Sequence, residues 1–189
     1  MTVRIETDRL LLREWREGDW VDLHRAYSDP EVMRWLGEGG TLDVETTAFV
    51  VGRMHAHWQQ LGYGLFATIV KETGELIGRI GLMRHPDWPV DEHKVEVGWT
   101  LQRSAWGNGY ATEGAMASLQ FAFEWIGFER IFSMTDPKNE RSQSVMKKCG
   151  LTYRGEVEFH GYLDVYYAID RSDWPPPGVT LPSIEIREE

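Results

Sequence analysis

Residues Trp106-Gly107-Asn108-Gly109-Tyr110-Ala111-Thr112-Glu113 follow an apolar alternating segment, Val95–Leu101, and open an amphipathic one. A strand that runs through a Gly-x-Gly turn into a helix aims several free backbone N–H groups at one point, with the positive end of the helix dipole behind them. That arrangement binds phosphate. Glycine suits it because a side chain blocks close approach of the backbone or forbids the dihedrals that aim the donors. The dinucleotide fingerprint fails, since its third glycine falls on Thr112. The Walker pattern fails too, because no Gly-Lys-Ser/Thr follows at the right spacing, and a Rossmann turn usually opens a domain rather than lying past its midpoint. The octapeptide alone is also compatible with an ordinary strand-to-helix turn.

The elements around it must hold that turn. Arg9–Trp15 reads as a first strand, and Gly18-Asp19 opens a short helix through Ser28 with Asp19 as N-cap, broken by Asp29-Pro30. Leu42, Thr46, Phe49, Val50, Met54, Trp58 and Leu61 recur at helical spacing. Leu65–Val70 and Leu76–Met83 read as a hairpin around Gly74, and Val95–Leu101 as the strand that opens onto the glycine turn. The next helix carries small residues on one face (Ala111, Gly114, Ala115, Ala117, Ser118), which predicts close packing on a sheet. Arg130–Thr135 follows as a parallel strand, because a whole helix intervenes. A helix Asn139–Lys148 ends at Gly150, and a second hairpin, Leu151–Phe159 with Tyr162–Ile169, turns at His160-Gly161. The residues after Trp174 read as a tail. The order β-α-α-β-β-β-α-β-α-β-β predicts an α/β domain over residues 6–174, with a mixed, mostly antiparallel sheet and one parallel strand pair in its middle.

Composition narrows the function. The 189 residues fit one domain. Twenty basic side chains against thirty acidic give a net charge of −10, which argues against a nucleic-acid binder and suits a cationic partner. Between Phe128 and Gly150 the balance reverses, with five basic residues against three acidic, as an anionic ligand beside the glycine turn requires. The single cysteine, Cys149, excludes an internal disulfide framework and multi-thiolate metal sites. No signal peptide or membrane-spanning run is read, so a cytoplasmic protein without membrane partner is expected. Cys149 reads as a buried helix-end residue rather than a nucleophile, and the His55-x-His57 spacing splays the two rings, so no metal site is expected.

Thirty residues past the turn comes Asn139-Glu140-Arg141-Ser142, where either Asn139 or Ser142 can cap the helix that Gly150 ends. Taken with the glycine turn, this block resembles the GNAT superfamily of acyl-CoA-dependent N-acetyltransferases. Thr7-Asp8-Arg9-Leu10-Leu11-Leu12-Arg13, Glu96-Val97-Gly98-Trp99 and Trp106–Glu113 are similar to the RimJ/RimL-like branch, which acetylates N-terminal amines of ribosomal proteins, and Asp164, Tyr166 and Tyr167 match its closing strand.

The resemblance implies a GNAT fold in which acetyl-CoA lies between the splayed parallel strands. Trp106, Gly107, Asn108, Gly109, Tyr110, Ala111 and Thr112 would hold the pyrophosphate. The backbone of Trp99, Thr100 and Leu101 would run beside the pantetheine, and Asn139 would bond its amide. Arg103, Lys138 and Arg141 are candidates for the terminal phosphates. The acceptor would be a primary amine, on a peptide N-terminus or a small cationic molecule. Two positions depart from the family pattern: Ser104 where an Arg or Gln is usual, and Met146 where many members place a tyrosine.

Attack on a thioester needs a proton acceptor for the ammonium, a polarised carbonyl and a proton for the thiolate. Glu96, flanked by Val95 and Val97 on a central strand, is the candidate base, with burial expected to raise its pKa; a structural ion pair is the competing account. Asp91, Glu92 and Asp164 are weaker candidates. Ser142 is the candidate proton donor. Trp35, Tyr63 and Trp88 could line an acceptor pocket, and the Tyr162–Ile169 strand could pair across a homodimer. A CoA-binding module without catalysis is the alternative that the two departures leave, and the missing glycine disfavours a nucleotide-dependent oxidoreductase.

Overall fold

The structure, a computed structural model, describes residues 3–188, and the side chains only as far as Glu185. One mixed sheet of nine strands runs through the described residues in the order β7-β8-β6-β5-β4-β3-β2-β1-β9. Its strands are β1 (Val3–Glu6), β2 (Leu10–Arg13), β3 (Leu65–Val70), β4 (Leu76–Arg84), β5 (Val95–Leu101), β6 (Arg130–Thr135), β7 (Thr152–Phe159), β8 (Tyr162–Asp170) and β9 (Glu185–Glu188). The helices are α1 (Trp20–Tyr27), α2 (Pro30–Met33), α3 (Val44–Leu61), α4 (Tyr110–Gln120) and α5 (Glu140–Lys148). Each neighbouring pair is antiparallel except β5 and β6. The α/β architecture and the central parallel pair are those expected from the sequence.

Small residues set the packing of α4. A Cβ built on Gly114 would sit 2.5 Å from Cδ1 of Ile80, so only glycine lets the helix lie this close to β4. Ala115, Ala117 and Ser118 are buried on the same interface. The register of β4 and β5 pairs Arg79 with Thr100, Gly81 with Gly98 and Met83 with Glu96. Directly opposite residues share a face and alternate ones face the other way. Ile80 therefore faces α4, whereas Arg79, Met83, Glu96 and Thr100 face the opposite side, where the Arg79 guanidinium lies over the Tyr27 ring of α1.

Four expectations change. The segment after Trp174, read as a tail, supplies β9, which pairs antiparallel with β1, itself outside the predicted strands. Both strands are four residues long, too short for a periodicity to register. Asp29 does not simply break a helix; its carboxylate caps α2 by accepting from the Glu31 N–H, with Pro30 at the first helical position. Asp19 makes no side-chain cap, because both its carboxylate oxygens accept from the Arg13 guanidinium, at 2.6 and 2.9 Å. Lastly, β8 is hydrogen-bonded on both sides, so the strand Tyr162–Ile169 has no free edge. A dimer formed by sheet extension at this end would have to use β7.

Candidate active site

The parallel pair is where the sheet opens. β5 and β6 are seven and six residues long, yet their ladder consists of one residue pair, Glu96 with Phe132. Past Glu96 the β6-facing backbone groups of β5 have no strand to bond with. The gap belongs to a cavity of about 1570 Å³ lined by β5, β6, the glycine turn, α5 and the residues around α2. Pockets for a single small ligand are commonly about 300–1,000 Å³, so this one has room for a large ligand and a second beside it.

One end is built from backbone. Gly107 and Gly109 have φ of +79° and +82°, conformations that L side chains rarely adopt. Gly109 is the N-cap of α4 and has no side chain with which to cap it, so the first-turn N–H groups of Tyr110, Ala111 and Thr112 face the cavity. The turn is held from behind. Arg9 donates to the Asn108 carbonyl at 2.9 Å and to Glu113 at 2.7 Å, and Thr7 Oγ1 donates to Glu113 at 2.6 Å. The Asn108 side chain folds back onto the Ala105 and Trp106 carbonyls, both at 3.3 Å. Thr7, Arg9 and Glu113 thus fix the shape of the turn, a role the sequence did not suggest.

Each residue expected at this end can now be placed. Trp99, Thr100, Leu101, Trp106, Gly107, Gly109, Tyr110, Ala111, Thr112, Asn139 and Ser142 all line the cavity. Asn108 does not, and its side chain closes the turn instead. The Trp106 backbone N–H is taken by Arg103 and its indole N–H by the Leu101 carbonyl, so Trp106 offers only its ring, over which Arg141 sits at 5.0 Å. Asn139 caps α5 by accepting from the Ser142 N–H at 3.2 Å and donates to Thr135 Oγ1 at 3.0 Å, which leaves one amide hydrogen and one lone pair uncommitted. Arg103, Lys138 and Arg141 line the same end, with Arg103 also 3.2 Å from Asp29.

The other end is built from side chains. Glu96 is not isolated among valines: His85 Nε2 donates to its Oε2 at 2.7 Å, with both side chains 15 % exposed. Burial works to lower the His85 pKa, but the hydrogen bond and charge of Glu96, helped by Asp87, raise it on balance. Asp164 lines the same space. Burial first, and then the charges of Glu96 and Asp136, push its carboxyl up to about 6. Asp164, a weaker candidate from the sequence, is therefore half-buried and perturbed. By contrast Asp91 is committed to Arg130 at 3.1 Å, and the Glu92 side chain is 87 % exposed.

His85 escaped sequence reasoning. Its signal was parity, because it falls two residues beyond Met83 on the face that β5 presents with Glu96, and its N–H continues the hairpin to the Lys94 carbonyl. Of the three aromatics expected in an acceptor pocket, only Trp35 lines the cavity. Trp88 is 2 % exposed and stacked on Phe132 at 3.9 Å, and Tyr63 packs on His57 and Phe128. Met146 is fully buried. Cys149 is buried as well, which pushes its thiol up to about 12 and leaves it inert. No cluster of three metal-ligating side chains occurs among the described residues, and no helix among them is long and apolar enough to cross a membrane.

A sheet split at its one parallel pair, with a bare helix N-terminus beside the split, is the arrangement of an acetyltransferase of the GNAT class. The Acetyltransferase (GNAT) domain family matches residues 9–152, and the chain belongs to that family. It is 30 % identical to an uncharacterized N-acetyltransferase, YnaD of Bacillus subtilis, over 91 % of this chain and 99 % of that one. Among solved structures, a GNAT-family acetyltransferase from Bacillus anthracis superposes with a TM-score of 0.77 at 28 % identity, over 89 % of this chain and 99 % of that one. A ribosomal-protein-S5-alanine acetyltransferase from Vibrio fischeri superposes with a TM-score of 0.71 over 92 % of this chain and 99 % of that one; at 17 % identity that likeness concerns the fold alone.

Proposed function

We propose that this acetyltransferase transfers the acetyl group of acetyl-CoA to a primary amine by direct attack, with both substrates bound at once. The observation that carries the proposal is the one-residue β5–β6 ladder, opening beside unpaired N–H groups within a single cavity. The cavity has a donor end on the glycine turn, with Arg103, Lys138 and Arg141 beside it, and an acceptor end that holds Glu96 and Asp164.

The chain's residues fit such a donor. The N–H groups of Gly107 and of Gly109 to Thr112 offer hydrogen bonds and the positive end of α4 to a pyrophosphate, and no atom outside the neighbouring residues lies within 4 Å of the space a Cβ on Gly107 would fill. These backbone groups substitute for the cationic or amide side chain that Ser104 lacks. The free edge of β5 at Trp99 and Thr100, together with the spare amide groups of Asn139, suits a pantetheine chain. Arg103, Lys138 and Arg141 supply positive charge for its outer phosphates. Acetyl-CoA supplies an activated thioester.

Glu96 takes the proton that the attacking ammonium must lose, directly or through water. His85, whose protonated form is favoured by its contact with Glu96, holds that carboxylate in the cavity. Asp164 lines the same cavity and feels the charge of Glu96, and its carboxyl, pushed up to about 6, titrates near the pH at which a base is most effective. Ser142, in the first turn of α5 and lining the cavity, returns a proton to the departing thiolate, a role closed to Met146, whose thioether carries no proton to give.

Thr7, Arg9 and Glu96–Trp99 support a place in the RimJ/RimL-like branch, with a peptide N-terminus or a small amine as acceptor. A buried, unpaired cysteine suits a cytoplasmic protein. The test is thiol release from acetyl-CoA across a panel of primary amines. Release that rises with amine concentration and yields the acetylated amine is expected. Tight CoA binding with no amine-dependent release would contradict catalysis.

A further inference from the structure

Among the described residues, the acceptor face carries a cation without a counter-charge. Arg79 lines the cavity from β4, on the same face as Met83 and Glu96. Among the described residues it has no ion pair, and its Nε is buried without a hydrogen-bond partner. Its neighbour is equally unserved. Thr100 lies directly opposite on β5, is 5 % exposed, and has a buried Oγ1 with no partner.

The acidic groups that share the cavity are engaged elsewhere or lie at its other wall. Glu31 pairs with Arg34 at 3.3 Å, Glu96 with His85 at 2.7 Å, and Asp136 accepts from the Lys138 N–H at 2.7 Å. Asp164 stands across the split, on β8. The Tyr27 ring centroid, 6.0 Å from the guanidinium carbon, gives Arg79 a weak contact and no counter-charge. A half-buried guanidinium beside an unbonded hydroxyl costs free energy unless an anion completes it. A guanidinium fork with a hydroxyl alongside matches a carboxylate.

We infer that Arg79 and Thr100 form a carboxylate receptor, so that the favoured acceptor is a small amino-carboxylate bound with its amine toward Glu96 and its carboxylate on Arg79. This rests on reading the cavity as an acetyltransferase site. Thr100 and Glu96 lie four residues apart on one face of β5, about 13 Å along the strand, and the charge of Arg79 is felt at His85, the partner of Glu96. The amine and carboxylate of the acceptor are therefore separated by several bonds, more than in an α-amino acid. The receptor separates such acceptors from polyamines, which carry no anion for Arg79.

Binding of product-like ligands tests the receptor without requiring turnover. N-Acetyl-amino carboxylates, from N-acetylglycine to N-acetyl-ε-aminocaproate, and their carboxamides are titrated by calorimetry into wild type, Arg79→Gln, Arg79→Lys and Thr100→Val, each with excess CoA. At least one longer carboxylate is expected to bind wild type about tenfold tighter than its carboxamide. Arg79→Gln should abolish that preference, while Arg79→Lys and Thr100→Val should reduce it. The carboxamides serve as the internal control, since a misfolded variant weakens both members of a pair. Equal binding of carboxylate and carboxamide by wild type, including no binding of either, overturns the inference, as does a preference that survives in Arg79→Gln. A carboxylate preference together with failure of every amine to be acetylated would leave the receptor standing and reject the acetyltransferase reading.

Discussion

The two ends of the cavity are made differently. At the glycine turn the chemistry lies in backbone N–H groups, and side chains such as Arg9, Asn108 and Glu113 only hold the backbone in shape. At the other end the backbone is scaffold and the chemistry lies in carboxylates and an imidazole brought from β5, β8 and the end of β4. A backbone site tolerates varied side chains but not a changed dihedral. A side-chain site tolerates backbone detail but not a changed functional group. Substitutions at the two ends should therefore fail in different ways.

The largest effect is expected at the side-chain end. Glu96→Gln keeps the shape and a hydrogen-bonding group for His85 but cannot take a proton, so kcat should fall about 100-fold or more. A kcat within a few-fold of wild type would remove Glu96 from the base role. A smaller effect is expected at the backbone end. Gly109→Val places a β-branched residue at φ of +82° with Arg9 Nη2 3.4 Å from the new Cβ. The strain should turn the first-turn N–H groups away and weaken CoA binding about tenfold. The turnover of bound substrates should change far less.

The smallest effect concerns Asp164 and stability. Its carboxyl is raised from the ordinary 3.8 to about 6, so the folded state favours the protonated form. That contribution is fully present below pH 4 and is lost as the pH rises through about 6. Asp164→Asn should melt about 2 °C above wild type at pH 8, discounted for partial exposure, and no higher at pH 4. Equal melting temperatures at both pH values would show that Asp164 carries no strain when charged.

The same contrast explains what the sequence disclosed. A glycine turn between a strand and a helix is a local event, so Trp106–Thr112 and the parallel pair around it were legible from a short window. The small face of α4 was legible for the same reason, since Gly114 and Ala117 are spaced by the helix itself. The acceptor end is non-local. His85 meets Glu96 only when β4 and β5 are in register, and Asp164 feels Glu96 only once β8 has crossed to lie beside β6. Nor does spacing reveal that Arg13 takes the carboxylate of Asp19, because an N-cap and an ion pair are equally open to an aspartate at that position. Strands β1 and β9 were missed because pairing between chain ends leaves no trace in either short segment.

That the two ends are separable is the central claim, and calorimetric titration of CoA tests it most directly. Wild type and Glu96→Gln should bind CoA with the same affinity, although only wild type turns over, while Gly109→Val should bind about tenfold more weakly. CoA affinity that falls with Glu96→Gln as far as with Gly109→Val, or that is untouched by Gly109→Val, would contradict a donor end built from backbone and an acceptor end built from side chains.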